Sequence, residues 1–166
     1  MADLAASHPA STIRGVHHIG VTTANLAGAL AFWETFLGRP ARWAQVLDGS
    51  YLGRVVGYPN VSINIAFVDL PGGGVVELLD YHKIAERVAN PEATANPGNI
   101  HICLEVADAD TAWKHAVACG ARPVSPEGTV EIGQGPNKGA KVAYLRIHDG
   151  VTIEVFQPPR SEGQAR

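Results

Sequence analysis

His18, Glu77, His101 and Glu154 have residue types and spacing that could hold a divalent metal ion. Imidazole and carboxylate donors together suit a borderline ion such as Zn, Ni, Co, Mn or Fe(II), and four of them leave positions open for water or substrate. What singles these four out is that they fall at matching places in a chain written twice. His18-Ile19-Gly20-Val21-Thr22-Thr23-Ala24-Asn25-Leu26 lies without a gap over His101-Ile102-Cys103-Leu104-Glu105-Val106-Ala107-Asp108-Ala109. Ala66-Phe67-Val68-Asp69 leads to Glu77 after eleven positions, and Ala143-Tyr144-Leu145-Arg146 leads to Glu154 after the same eleven. Such internal repetition is the first thing to settle, because it governs how the whole fold is read.

The elements that must position the four residues follow from periodicity. Each copy reads strand, helix, then three strands. Strand one spans Gly15 to Thr22, and its copy Asn99 to Val106. The first helix has Asn25 as N-cap, Leu26, Leu30, Trp33 and Leu37 at helical spacing, and Gly38 as a stop. The second has Asp108, then Ala109, Ala112, Trp113, Ala116 and Val117, and ends at Gly120. The remaining strands of copy one are Trp43 to Leu47, Val61 to Asp69 and Gly74 to Tyr81, with Pro71-Gly72-Gly73-Gly74 as a hairpin turn. Those of copy two are Val124 to Ser125, Lys141 to Ile147 and Thr152 to Phe156, with His148-Asp149-Gly150 as the turn. Between the copies, the segment after Tyr81 reads as a short helix plus linker.

Strand parity then selects a face. Side chains alternate across a strand, so His18 and Gly20 oppose Ile19 and Val21, while His101 and Cys103 oppose Ile102 and Leu104. Glu77 likewise opposes Val76 and Leu78, and Glu154 opposes Ile153 and Val155. The apolar members must meet the helices, so both histidines and both carboxylates point the other way, into whatever the sheet encloses. Two inward-facing glutamates without partners would be costly, which strengthens the metal reading.

Composition narrows the partners. The chain has 166 residues, 46% hydrophobic and 17% charged, with a net charge of -3 and two cysteines. That length can bury a core as one domain. No basic run offers a footprint for nucleic acid or an anionic membrane, and no apolar run approaches the roughly 18 residues of a membrane span. Two cysteines make no disulfide framework, which together with the absence of a signal-peptide pattern suggests a cytoplasmic protein with a small-molecule partner. The expected layout is a flexible segment 1–14, one domain 15–158 (module one 15–81, linker 82–98, module two 99–158) and a flexible tail 159–166.

Other residues carry weaker signals. Cys103 shares the face of His101 and is a candidate for substrate contact, although an inert thiol is the plain reading. Lys138 and Lys141 lie in or beside the Gly133-to-Gly139 loop and are candidates for meeting an anionic substrate. That loop fits no phosphate-binding fingerprint. His17 has the opposite parity to His18 and reads as a packed or surface residue, and His82, His115 and His148 read as surface or loop residues. Trp33, Phe36 and Trp113 at helical spacing read as core, and no organic cofactor is inferred.

The duplicated unit, the openings His17-His18-Ile19-Gly20-Val21 and His101-Ile102-Cys103-Leu104-Glu105-Val106, and the closings Val76-Glu77-Leu78-Leu79 and Ile153-Glu154-Val155 resemble the vicinal oxygen chelate superfamily. That family contains glyoxalase I, methylmalonyl-CoA epimerase, extradiol dioxygenases, fosfomycin-resistance transferases and metal-free bleomycin-binding proteins. The resemblance covers about Gly15 to Pro158. It implies an α+β fold of two tandem βαβββ modules forming a cupped mixed sheet with helices on the outer face, a homodimer, and one divalent ion at His18, Glu77, His101 and Glu154. One departure is Ile147-His148-Asp149-Gly150, which stands where the family commonly has Asp-Pro-Asp-Gly.

The complete four-ligand set is more similar to the glyoxalase and epimerase branch than to the dioxygenases and transferases, which typically lack a ligand at the position of Glu77. The resemblance therefore implies a glyoxalase-like or epimerase-like lyase or isomerase that moves a proton next to the carbonyl of a small 2-oxo or 2-hydroxy compound. The ion acts as Lewis acid, and Glu77 or Glu154 serves as the catalytic acid/base. The alternatives are an extradiol-type ring-cleaving dioxygenase using Fe(II), and a metal-free small-molecule-binding protein of the same fold.

Overall fold

A computed structural model describes residues 14–88 and 94–160. Module one contains β1 (Ile19–Thr22), α1 (Leu26–Leu37), β2 (Trp43–Leu47), α2 (Ser50–Val56), β3 (Ser62–Asp69) and β4 (Val75–His82). Module two contains β5 (His101–Glu105), α3 (Ala109–Ala118), β6 (Arg122–Pro123), β7 (Val130–Glu131), β8 (Lys141–Arg146) and β9 (Thr152–Gln157). The strands form a four-stranded sheet, β1-β4-β3-β2, and a five-stranded sheet, β5-β9-β8-β6, with β7 also on β8. In each sheet the first strand runs parallel to the last, β1 on β4 and β5 on β9, while the other pairs are antiparallel. The α+β class and the tandem βαβββ plan expected from the repeat are both present.

The two long helices form where capping chemistry allows. The Asn25 side chain accepts the Gly28 N–H at 3.1 Å, and Gly38 at φ 66° ends α1. Asp108 accepts the Thr111 N–H at 2.9 Å at the start of α3. Each cap satisfies a backbone donor that the first helical turn leaves free.

One core takes in the helix-facing side chains of both modules: Val21, Phe32, Trp33, Val76 and Leu78 with Ile102, Ala116, Leu145, Ile153 and Val155. Val76, Leu78, Ile153 and Val155 have no exposed surface, each contributing about 1.5–3 kcal/mol by burial. A second apolar cluster lies in module one alone, where Leu52 of α2 packs with Val61, Ile63 and Ile65.

The modules are joined through the β8–β9 turn. Trp33 of α1 donates its indole N–H to His148 Nε2 at 3.1 Å. Asp149 accepts from the Thr23 hydroxyl at 2.6 Å and the Ala24 N–H at 3.1 Å. These bonds hold Asp149 at φ 52°, a region that few residues other than glycine enter. Nearby, His115 of α3 stacks on Phe36 of α1. The surface reading of His148 is therefore corrected: its side chain is only 11% exposed and belongs to the junction.

Several local expectations also change. β1 begins at Ile19, not Gly15, because its partner β4 begins at Val75 and Ile19 already lies beside Val76. The short helix falls between β2 and β3, not in the linker. There, Gly49 and Gly57 bracket seven residues and the apolar Leu52 anchors them. No helix occurs in the described part of 82–98; Arg87 instead reaches Asp80, the Tyr81 carbonyl and the Thr23 carbonyl, tying the segment back onto module one. The strand expected at Val124 to Ser125 lies two residues earlier, at Arg122–Pro123. The expected flexible ends fall almost wholly outside the described residues. Among those described, no helix is long and apolar enough to cross a membrane.

Candidate functional site

On the faces turned away from the shared core, each module brings one histidine to one glutamate. His18 Nε2 lies 3.0 Å from Glu77 Oε2, and His101 Nε2 lies 3.0 Å from Glu154 Oε2. Both carboxylates are 15% exposed, whereas the imidazoles are 35% and 40% exposed, so the carboxylates form the floor of each pair and the imidazoles its rim.

Strand registry explains the match. Glu77 stands opposite Gly20 on β1 and Phe67 on β3. Glu154 stands opposite Cys103 on β5 and Tyr144 on β8. Parity puts all of these on the site face, while their neighbours Val76, Leu78, Ile153 and Val155 fill the core.

The surroundings of the two pairs differ. In module one, Phe67 tilts against His18 with ring centroids 5.8 Å apart and against Trp43 at 4.7 Å. His17 is exposed, and its Nδ1 lies 2.8 Å from His18 Nδ1. One of these nitrogens must donate and the other accept, which leaves His18 Nε2 turned toward Glu77. In module two, the Tyr144 hydroxyl lies 3.5 Å from His101 Nε2. Burial, and then the nearby Glu154 charge, raises the Tyr144 pKa. The Cys103 thiol is pushed up to about 11 by burial and by Glu154, so it stays protonated at neutral pH and is a poor nucleophile there.

The other candidates are placed elsewhere. Lys141 pairs with Asp110 at 2.7 Å and sits beside Gln157 rather than Glu154. Lys138 and Lys141 share a polar cleft with Asp108, Asp110 and Glu131, and none of the four pair residues lines it.

Each His–Glu pair fits as a two-donor half of a divalent-ion site, since a borderline cation takes both imidazole nitrogen and carboxylate oxygen. The structure does not bring the halves together in one chain. Among the described residues, no three His, Cys, Asp or Glu side chains gather closely enough to hold an ion.

Sequence reasoning found both pairs and missed the groups that make them unequal. Phe67 and Tyr144 each lie ten positions before a site carboxylate within the repeated blocks, so parity and repetition could have singled them out. His17 reaches its contact from the irregular segment before β1, where strand parity carries no information.

The chain matches the family model described as Glyoxalase/Bleomycin resistance protein/Dioxygenase superfamily over residues 17–144. Among curated proteins, none matches the sequence. Its fold is similar to that of a glyoxalase family protein from Bacillus cereus, with TM-score 0.72 and 22% identity, covering 89% of this chain and 96% of that one. A glyoxylase/bleomycin resistance protein/dioxygenase domain from Frankia sp. EAN1pec gives TM-score 0.64 at 18% identity, covering 92% and 96%. FosX, a genomically encoded fosfomycin resistance protein from Listeria monocytogenes complexed with Mn(II) and sulfate, gives 0.50 at 13%, covering 90% and 95%. With more than half its length matched, the chain belongs to the Glyoxalase/Bleomycin resistance protein/Dioxygenase superfamily.

Proposed function

We propose that this protein is a divalent-metal-dependent enzyme that moves a proton at the carbon next to a carbonyl in a small 2-oxo or 2-hydroxy compound, as the glyoxalase and epimerase branch does. The observation that carries the reading is the pair of equivalent His–Glu contacts, each 3.0 Å long. The binding of Mn(II) by FosX supports the same kind of ion here.

The active form is a homodimer. His18 and Glu77 of one protomer complete a site with the second pair of a partner protomer, because the two halves within one chain do not meet. When bound, the ion supplies Lewis acidity that polarises the carbonyl oxygen. The chain's own groups do the rest. Glu77 or Glu154 carries the proton, since each is a carboxylate with one oxygen facing its histidine and little solvent around it. The Tyr144 hydroxyl, beside His101, is placed to donate a hydrogen bond to a substrate oxygen.

The test combines metal analysis of protein purified without chelators with exchange of the C3 protons of 2-oxobutyrate in deuterated water, followed by NMR. Metal-dependent exchange, lost with chelator and in Glu77→Gln, is expected. Oxygen consumption with a catechol in place of exchange overturns the proton-transfer reading. Failure to retain any divalent ion overturns the metal-dependent one.

A further inference from the structure

We infer that the substrate carries a planar aromatic group next to its carbonyl and that module one selects it; this rests on the metal-dependent reading above. The carboxylate of Glu77 sits in a row that crosses all four strands of its sheet. Trp43 on β2 is opposite Phe67 on β3, Phe67 is opposite Glu77 on β4, and Glu77 is opposite Gly20 on β1. Side chains opposite one another on one face lie close enough to form a continuous surface. The two rings of this row are tilted by 40° with centroids 4.7 Å apart, and Phe67 continues onto the His18 ring at 39°. The result is a shelf of ring faces leading from the sheet edge to the His18–Glu77 pair.

Three features make this shelf a substrate surface. Trp43 and Phe67 pack against the α2-covered cluster and yet are only half-buried, so part of each side chain remains accessible. Gly20 contributes no side chain at the far end of the row. A Cβ there would touch Leu79 Cδ1 at 3.5 Å and Glu77 Oε2 at 3.8 Å, so its absence leaves the β1 side of that carboxylate uncovered. Finally, the row in module two is shorter and carries a hydroxyl: Tyr144 stands for Phe67 and tilts on His101 in the same way, with centroids 4.9 Å apart, but the aliphatic Val124 bonds to its carbonyl where module one has Trp43, and Cys103 replaces Gly20. Across the dimer proposed above, where the two kinds of half meet, halves built alike but lined differently receive two different ends of one substrate. The hydroxyl of Tyr144 suits the oxygen-bearing end, and the rings suit an apolar planar end, where offset and tilted ring contacts add to simple burial. No cation stands in the Trp43–Phe67–Glu77–Gly20 row, so an anionic tail would find no counter-charge there.

The test uses phenylglyoxylate and pyruvate, which share a 2-oxo-carboxylate head and differ in phenyl against methyl. Both are titrated calorimetrically into the purified protein in buffer containing Mn(II), with Mn(II) occupancy measured separately by electron paramagnetic resonance. A preference for phenylglyoxylate of at least tenfold is expected in the unaltered protein, falling to about twofold or less in Phe67→Leu, which keeps apolar volume in the strand. Trp43→Leu on the edge strand provides a second variant with the same expectation. Equal affinity for the two acids, or a preference that survives both substitutions, overturns the shelf. If Mn(II) is held and no preference is seen, the shelf fails and the metal-site reading stands. If Mn(II) is not held yet the ring-dependent preference appears, the shelf stands and the metal-site reading fails.

Discussion

Trp33 donates its indole N–H to Nε2 of His148 at 3.1 Å, joining a fully buried residue of α1 in module one to the β8–β9 turn of module two. For that bond to exist Nε2 must carry a lone pair. The ring proton therefore sits on Nδ1, which faces Asp149 Oδ2 at 3.4 Å.

The junction should weaken on acidification. Burial lowers the His148 pKa below its ordinary 6.5, against the opposing pull of Asp149. A group with a depressed folded pKa contributes stability that is present above its unfolded value and lost as pH falls through the folded one. Burial alone would raise the Asp149 pKa, but hydrogen bonds from Thr23, Ala24 and His148 hold it below 3.8, which adds a loss in the same direction at lower pH. Urea denaturation should therefore show stability declining as pH falls below 6.5. His148→Gln should flatten that decline, and an unchanged pH profile in this variant would remove His148 from the account. Trp33→Phe at neutral pH should cost about 1–3 kcal/mol, the penalty for leaving a buried acceptor unpaired.

Gly53 should resist a substitution that helices ordinarily welcome. Replacing a helical glycine by alanine typically stabilises by about 1 kcal/mol. Here, a Cβ on Gly53 would meet the Tyr58 carbonyl oxygen at 2.7 Å, and that backbone atom belongs to the loop closing α2. The expected outcome of Gly53→Ala is a lower melting temperature and loosening of the Leu52 cluster. A rise in melting temperature would show that the loop gives way freely.

The repeat and strand parity made the fold and the two His–Glu pairs legible because each rests on a local pattern: alternating apolar residues, a capping Asn25 or Asp108, a glycine stop. What stayed hidden depends on contacts distant in sequence. His148 looks like a turn residue until Trp33, 115 positions away, is placed against it. Lys141 looks like a free cation until Asp110 takes it. α2 is too short to show periodicity and forms because Leu52 has a cluster to enter. The separation of the two half-sites is likewise a property of how modules dock, which no single strand encodes.

Divalent metal should stabilise the protein, because an ion that binds only the folded state adds free energy by mass action, about 2.7 kcal/mol at a hundredfold excess over Kd. Adding Mn(II) to chelator-treated protein should raise the melting temperature. The rise should be much smaller in Glu77→Gln and in Glu154→Gln, whose amides keep the shape and lose the charge. A rise in both variants as large as in the unaltered protein would show that the ion binds elsewhere.

The sharpest test concerns where the four ligands meet. If each site joins His18 and Glu77 of one protomer to His101 and Glu154 of its partner, a dimer of Glu77→Gln chains has both sites damaged, and so does a dimer of Glu154→Gln chains. In a mixed dimer, one site receives both substitutions and the other receives neither. Unfolding and refolding the two variants together should therefore restore metal binding toward one intact site per mixed dimer, about a quarter of the wild-type capacity when half the dimers are mixed. Refolding each variant alone should restore none. Sites completed within one chain would keep every substituted chain defective, and co-refolding would then recover nothing. Metal retained per protomer, measured before and after mixing, separates these outcomes without any knowledge of the substrate.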